Sequence, residues 1–175
     1  MRSFGFNYNM FDLKFPIAGK QLGITTGLGF GYHNYSLRNN YVLAHTADTI
    51  FAVQDTVFNF KSNKLQVGTI SIPLLLDYSF GKNFDKSYYM AVGVIGTYNY
   101  GTKQSLTGTY ANGDEFVNST ISAFNMNRWT LDATTRIGYG HFGMFISYQL
   151  NSMFKTGHTV AVYPFRIGFN ILFGI

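Results

Sequence analysis

Period-2 alternation of apolar and small or polar residues runs through almost the whole chain, and it leaves very few folds open. The stretch Tyr163-Pro164-Phe165-Arg166-Ile167-Gly168-Phe169-Asn170-Ile171-Leu172-Phe173 is the clearest case, with one face aromatic and branched and the other largely small or polar. Successive side chains of a strand point to opposite faces, so such a pattern builds a two-faced strand. No window holds an i, i+3, i+4, i+7 apolar stripe for three turns, and the expected class is all-β. No run of 18 apolar residues exists either, which excludes a membrane-spanning helix.

Seven segments alternate over lengths suited to crossing a bilayer as tilted strands of about 9–11 residues. In the first, Phe4, Phe6, Tyr8 and Met10 share a face; the phase then flips at Phe11, with Leu13 and Phe15 following, which predicts a β-bulge. The second sets Leu22, Ile24, Leu28, Phe30 and Tyr32 against a face rich in glycine, and the third carries Ile70, Ile72, Leu74, Leu76, Tyr78 and Phe80. The others lie at 88–99, 127–139, 142–151 and 163–173. Their connections run short, long, short, long, short, medium, the rhythm of an up-and-down barrel with tight turns at one end and longer loops at the other. Asn112-Gly113-Asp114 in the second long connection is a strong turn signal. The 175 residues are expected to form one domain.

Alternation alone does not say which face is wet. The charges do. Only 12% of residues are charged and 18% are aromatic, where a soluble domain needs about 25% charged residues to cover its surface. Within the strand bodies the ions are Asp12, Lys14, Asp77, Arg128, Asp132, Arg136 and Arg166, and all fall on the polar face once the flip at Phe11 is allowed for. The rest of that face is mostly Gly, Thr, Ser and Asn, which suit the narrow interior of an eight-stranded barrel. The expected architecture is therefore an antiparallel up-and-down transmembrane β-barrel of eight-strand type, with seven strands present in this chain. Barrels of this kind have an even strand number, so a further strand is expected ahead of Phe4, together with any secretion leader.

Sidedness assigns roles. Arg128, Asp132 and Arg136 recur every fourth residue on one face, about 13 Å apart at strand rise, so their partners must come from other strands. Asp77 and Arg166 are expected to supply them in a network across the lumen. Phe165, Ile167, Phe169, Ile171 and Phe173 are expected to face lipid. Tyr32, Tyr78, Phe80, Tyr88, Tyr98, Tyr139, Tyr148 and Tyr163 are expected in girdles at the two interfaces, with Trp129 as a further anchor.

The segments Ile72-Pro73-Leu74-Leu75-Leu76-Asp77-Tyr78, Arg136-Ile137-Gly138-Tyr139-Gly140 and Val162-Tyr163-Pro164-Phe165-Arg166-Ile167-Gly168-Phe169 resemble the outer-membrane protein β-barrel domain family, small barrels of Gram-negative envelopes. The resemblance implies a bacterial outer-membrane location. The closing aromatic strand also looks like the signal read by the barrel-assembly machinery, although Gly174-Ile175 follow Phe173 where such signals end on an aromatic residue.

Function is less constrained than fold. The expected role is structural or surface-interacting, with the lipid bilayer and the assembly machinery as partners. The 38–63 loop, where Tyr41/Leu43, Phe51/Val53 and Phe58/Phe60 alternate, reads first as an extension of the barrel strands without a partner and second as a surface ribbon that takes a protein partner by strand addition. Lysines are spread singly in a chain of net charge +5, which gives no nucleic-acid patch. The alternatives are a narrow channel and a rim enzyme acting on lipid or peptide. Candidate catalytic groups are His33 with Ser36 and His158 with Thr159, but residues three apart on a strand face opposite ways and no carboxylate is positioned beside them. No catalytic, cofactor or metal residue is expected. His45 and His141 read as solvated side chains, and with no cysteine in the chain thiolate chemistry is ruled out.

Overall fold

A computed structural model describes residues 4–19, 21–37, 41–45, 50–54, 60–81, 86–110, 113–155 and 161–171. The strands among these residues are β1 (Phe4–Ala18), β2 (Leu22–Ser36), β3 (Tyr41–His45), β4 (Ile50–Gln54), β5 (Phe60–Ser79), β6 (Tyr88–Thr109), β7 (Glu115–Ile121), β8 (Trp129–Tyr139), β9 (Phe142–Gln149) and β10 (Phe165–Ile171). One antiparallel sheet runs β1-β2-β5-β6-β8-β9-β10, with β7 added alongside the far end of β6; β3 and β4 form a separate two-stranded sheet. The seven strands of the main path are the seven anticipated from alternation. Every ladder is between neighbours in the up-and-down order, as short connections dictate.

The phase flip at Phe11 is a bulge. The β1–β2 register shifts between Asn9 and Phe11, so that Asn9 faces Gly29 while Phe11 faces Leu28. The shift keeps Phe11, Leu13 and Phe15 on the same side as Phe6 and Tyr8, and all five are exposed while Asp12 is fully buried. A one-residue slip without the bulge would turn Asp12 outward. The β1–β2 turn is closed by Gly19 at φ 60, and the β6–β7 turn by Gly113 at φ 93, within the Asn-Gly signal.

The sheet curls with its polar face inward. Asn170 of β10 donates to the Tyr89 hydroxyl of β6 at 3.2 Å, and Lys14 of β1 reaches Asp77 of β5, so strands distant in the sheet meet inside it. Room for these contacts comes from glycine. A Cβ on Gly138 would lie 2.6 Å from the Tyr89 ring and would also strike the Phe142 carbonyl. Gly138→Val is therefore expected to destabilise the folded barrel by about 1–3 kcal/mol through overpacking, as read from urea titration of the vesicle-embedded protein.

Two expectations about length are corrected. β5 and β6 are far longer than the alternating segments suggested, at 20 and 22 residues, and much of the second long connection is strand rather than loop, as β6 continues to Thr109 and β7 follows from Glu115 to Ile121. Thr, Ser, Gln and Asn fill both faces there, so period 2 is present in the backbone but invisible in hydropathy.

Beyond the ladder β8–β9–β10, β1 and β10 are the two open edges. They come within 8 Å at Cα yet form no ladder among the described residues.

Candidate functional site

Two aromatic belts mark the ends of the outward face. At the short-turn end Tyr88 faces Tyr139 across a β6–β8 rung with ring centroids 5.0 Å apart, and Tyr78 packs edge-on to Phe80 at 5.1 Å. At the long-loop end Tyr98 faces Trp129 at 4.9 Å, and Tyr148 stacks with Tyr163 at 6.5 Å. The two β6–β8 rungs are ten residues apart on both strands. Ten residues rise about 33 Å, which at a barrel tilt near 40° is about 25 Å along the axis, the height of the apolar band of such barrels. Between the belts most outward positions are apolar, Thr135 being an exception: Ile72, Leu74, Leu76, Met90, Val92, Leu131, Ile137, Met144 and Ile146 are all exposed.

The closing strand obeys the same division. Phe165, Ile167, Phe169 and Ile171 are exposed, Phe169 at 80%, whereas Arg166 and Asn170 turn inward and are partly covered. Phe173 lies outside the described residues.

Inside, the charges are balanced. Toward the short-turn end Lys14 pairs with Asp77 and donates to Ser79 Oγ at 2.9 Å. Asp12 accepts from the Asn9 amide at 3.0 and 3.2 Å. Arg136, 7% exposed, has Asp12, Asp77 and Tyr89 as its electrostatic neighbours. Midway along, the Arg166 guanidinium pairs with Asp132, which is 1% exposed; Thr97 also bonds Asp132, and Tyr35 bonds Arg166. Among the described residues three acids thus meet three bases inside, which spares each the several kcal/mol that a lone buried ion would cost.

Of the residues expected in this network, Asp77, Asp132, Arg136 and Arg166 lie inside and Arg128 does not. Arg128 is exposed in the connection ahead of β8, where its carbonyl accepts from Asn99 N–H at 2.8 Å. The alternation has the right parity at position 128, but the strand begins one residue later, so parity has no hold there. Lys14 was on the polar face by sequence; only its contact with Asp77 makes it a partner of the network. His33 is buried and Ser36 half-buried on one strand, and the His33 ring lies 6.2 Å from that of Tyr35. The pair His158 and Thr159 lies outside the described residues.

An apolar cluster forms at the long-loop end. Phe124 and Met126, between β7 and β8, pack with Leu65 and Val67 of β5 and with Met153 after β9 in a buried apolar cluster. Asn127 ties this cluster to the other connection, donating from Nδ2 to the carbonyls of Ser152 at 2.7 Å and Phe154 at 3.1 Å. Phe124 and Asn125 both hold positive φ, 43° and 44°, a conformation that costs a non-glycine residue about 1–2 kcal/mol. Neighbouring bonds hold the strained turn in place: Met126 N–H donates to the Ala123 carbonyl and Lys155 N–H to the Asn125 carbonyl. Sequence reasoning missed this cluster because a turn with left-handed Phe and Asn carries no glycine signal. The polar space left below it is a cavity of about 40 Å³, room for a few water molecules.

Above the outer belt the β5–β6 ladder continues from Thr69 to Phe60, with β7 pairing Thr109 to Lys103. Lys61 pairs with Glu115 at 2.6 Å across this ribbon. The Lys61 hydrogen bond, then its charge, holds the Glu115 carboxyl below its ordinary range. Both side chains are exposed, so the pair adds little stability.

No curated protein and no solved structure matches the chain. The family described as outer membrane protein beta-barrel domain matches residues 3–155, a span that takes in β1 to β9. With its apolar positions turned out between two aromatic belts and its ions turned in, the chain belongs to the outer membrane protein beta-barrel domain family, and it is an outer-membrane barrel protein.

Proposed function

We propose that this barrel is plugged, sits in the outer membrane of a Gram-negative bacterium, and serves a structural or surface-interaction role through its long-loop face. It acts without cofactor, metal or catalytic residue. One observation carries the reading: the β5–β6–β7 ribbon rises about ten residues, roughly 33 Å of strand, above the belt marked by Tyr98 and Trp129. A chain needed only to anchor in lipid would end its strands at the belt. The charge-balanced interior and the apolar cluster at the long-loop end support the absence of a continuous aqueous path. Lipid is the constant partner and the assembly machinery the transient one. A protein partner at the 38–63 region is the third, where β3 and β4 form their own hairpin.

Two measurements test this reading. In planar bilayers the protein is expected to show no stable opening; nanosiemens steps would overturn the plugged interior. Deleting residues 41–60 is expected to leave the heat-modifiable barrel intact and to remove specific envelope cross-links seen with the full protein. An unchanged cross-linking pattern would remove the interaction role from that hairpin.

A further inference from the structure

The outward face of the raised ribbon carries bases that no acid of the chain neutralises. Lys61 is taken by Glu115, but Lys64, Lys103 and Arg128 have no acidic partner among the described residues. Lys64 faces Ser105 across the β5–β6 ladder and Lys103 faces Gln66, so the two lysines stand on one diagonal of the ladder with Cβ atoms about 7–8 Å apart. Like charges at that spacing repel, and an anion held between them removes the repulsion.

A β-bulge puts both on the same face. Tyr98 pairs with Ile70 and Asn99 with Thr69, but Gly101 pairs with Gly68, which leaves Tyr100 as an extra residue on β6. The phase of β6 changes there. Met90 and Val92 are exposed below the bulge, whereas above it Thr102 and Gln104 are buried and Lys103 is exposed. Without the extra residue Gln104 would turn out and Lys103 in. On β5 the phase is unbroken: Lys64 and Gln66 continue the face of Ile72 and Leu74, while Asn63, Leu65 and Val67 are buried.

The height is that of lipid head groups. The outward aromatic residues reach the Gly68 rung, where Tyr32 faces Gly68 from β2 and the Tyr100 ring lies so close that an added Cβ would meet it at 2.6 Å. Lys103 and Lys64 stand two and four residues above this rung, about 5 and 10 Å along the axis at strand rise and a tilt near 40°. The polar layer of one leaflet is about 5–8 Å thick, and lysine stems bend along apolar surface to reach it.

We propose that Lys64 and Lys103, with the Gln66 amide between them, bind the phosphate of an anionic lipid of the outer leaflet, whose acyl chains lie on Ile70, Ile72 and Leu74 below. A free phosphate would meet two cations in water, where such pairing is worth little. A lipid is already held at this height by its chains. Arg128, whose carbonyl is bonded by Asn99 four residues below Lys103, is placed to meet a second phosphate on the same head group.

Trp129 is the chain's only tryptophan and faces Tyr98 on the outer belt, so its emission reports which lipid adjoins this face. The 175-residue protein is refolded into vesicles of brominated phosphatidylcholine, which quenches Trp129. A non-brominated disaccharide lipid with two phosphates, or its dephosphorylated counterpart, is then titrated in. The phosphorylated lipid is expected to restore emission at a mole fraction about thirty-fold lower than its counterpart. Lys64→Gln and Lys103→Gln are each expected to raise its midpoint about five-fold, the loss of one cation at the membrane surface. Lys61→Gln, seven residues above the Gly68 rung and paired with Glu115, is expected to leave it unchanged, and heat-modifiable mobility shows that each variant is folded. Equal midpoints for the two lipids would overturn the proposal, as would an equal effect of Lys61→Gln. Displacement of the phosphorylated lipid by millimolar inorganic phosphate would assign the lysines to a soluble anion instead. The inference rests on the membrane placement proposed above: no quenching in any variant would remove that placement, whereas quenching without selectivity for phosphate removes this site alone.

Discussion

Asp132→Asn is expected to lower the unfolding free energy of the vesicle-embedded barrel by about 3–5 kcal/mol, the cost of leaving one partner of a buried ion pair unneutralised. Asp132 is 1% exposed and pairs with the Arg166 guanidinium from two strands away. The substitution keeps size and most hydrogen-bonding capacity, so the loss reports charge rather than packing. Adding Arg166→Gln is expected to recover more than half of it, because the stranded cation goes with its partner. Urea titration followed by heat-modifiable gel mobility gives the three free energies. Strictly additive losses from the two single substitutions would show that the two groups do not act on each other, and the balanced interior would have to be redrawn. The destabilisation is also expected to fall on the barrel as a whole, since the pair joins β8 to β10 across the lumen rather than along one ladder.

The second large effect concerns the opposite face. Leu74 is 55% exposed and sits on a β5–β6 rung with Val94, close to midway between the belts. Leu74→Arg is expected to cost about 2–4 kcal/mol in lipid, the penalty for a cation at the midplane of the apolar band. Val117→Arg is the control: Val117 is 67% exposed on β7, above the outer belt, and a charge there meets water. The expected change is within about 0.5 kcal/mol, as at ordinary surface sites. Equal effects at the two positions would mean that the belts do not bound the membrane. A soluble barrel would also reverse the interior result, because a cation at Leu74 would then be welcome and Asp132 would be an oddity in a dry core.

These two experiments probe the same division from its two sides, and that division was largely legible in the chain. Phe4 to Phe15 show how. Alternation with one phase change predicts a bulge, and the register shift stands between Asn9 and Phe11. Had the bulge been absent, Asp12 would face lipid, so the charge and the bulge confirm each other. The closing strand is equally plain, with Phe165, Ile167, Phe169 and Ile171 outward around Arg166. What was not legible follows from two physical causes. Hydropathy marks a strand only where its two faces differ in polarity, so β5 and β6 vanished from view above the belt, where the buried face carries Asn63, Thr102 and Gln104 and the other face is polar as well. Parity marks a side chain's face only while the strand lasts, so Arg128 was placed inward although β8 begins at Trp129.

Pairing was beyond the sequence for a related reason. Lys14 and Asp77 are 63 residues apart, and Asp132 and Arg166 are 34 apart; each faces the lumen by alternation, but which ion meets which depends on stagger and tilt. The apolar cluster is the extreme case. Its contacts join three connections, and its left-handed Phe124 and Asn125 are held only by what surrounds them.

The sequence by itself determined the strand class, the number of crossings in this chain, the bulge and the face that meets lipid, because each is a local consequence of side-chain period and charge placement. Only the tertiary structure decided the ion pairs, the apolar cluster at the long-loop end, the raised ribbon and the two open edges. Those depend on how distant strands stagger as the sheet curls, and stagger accumulates over the registers of all the ladders rather than within any one segment.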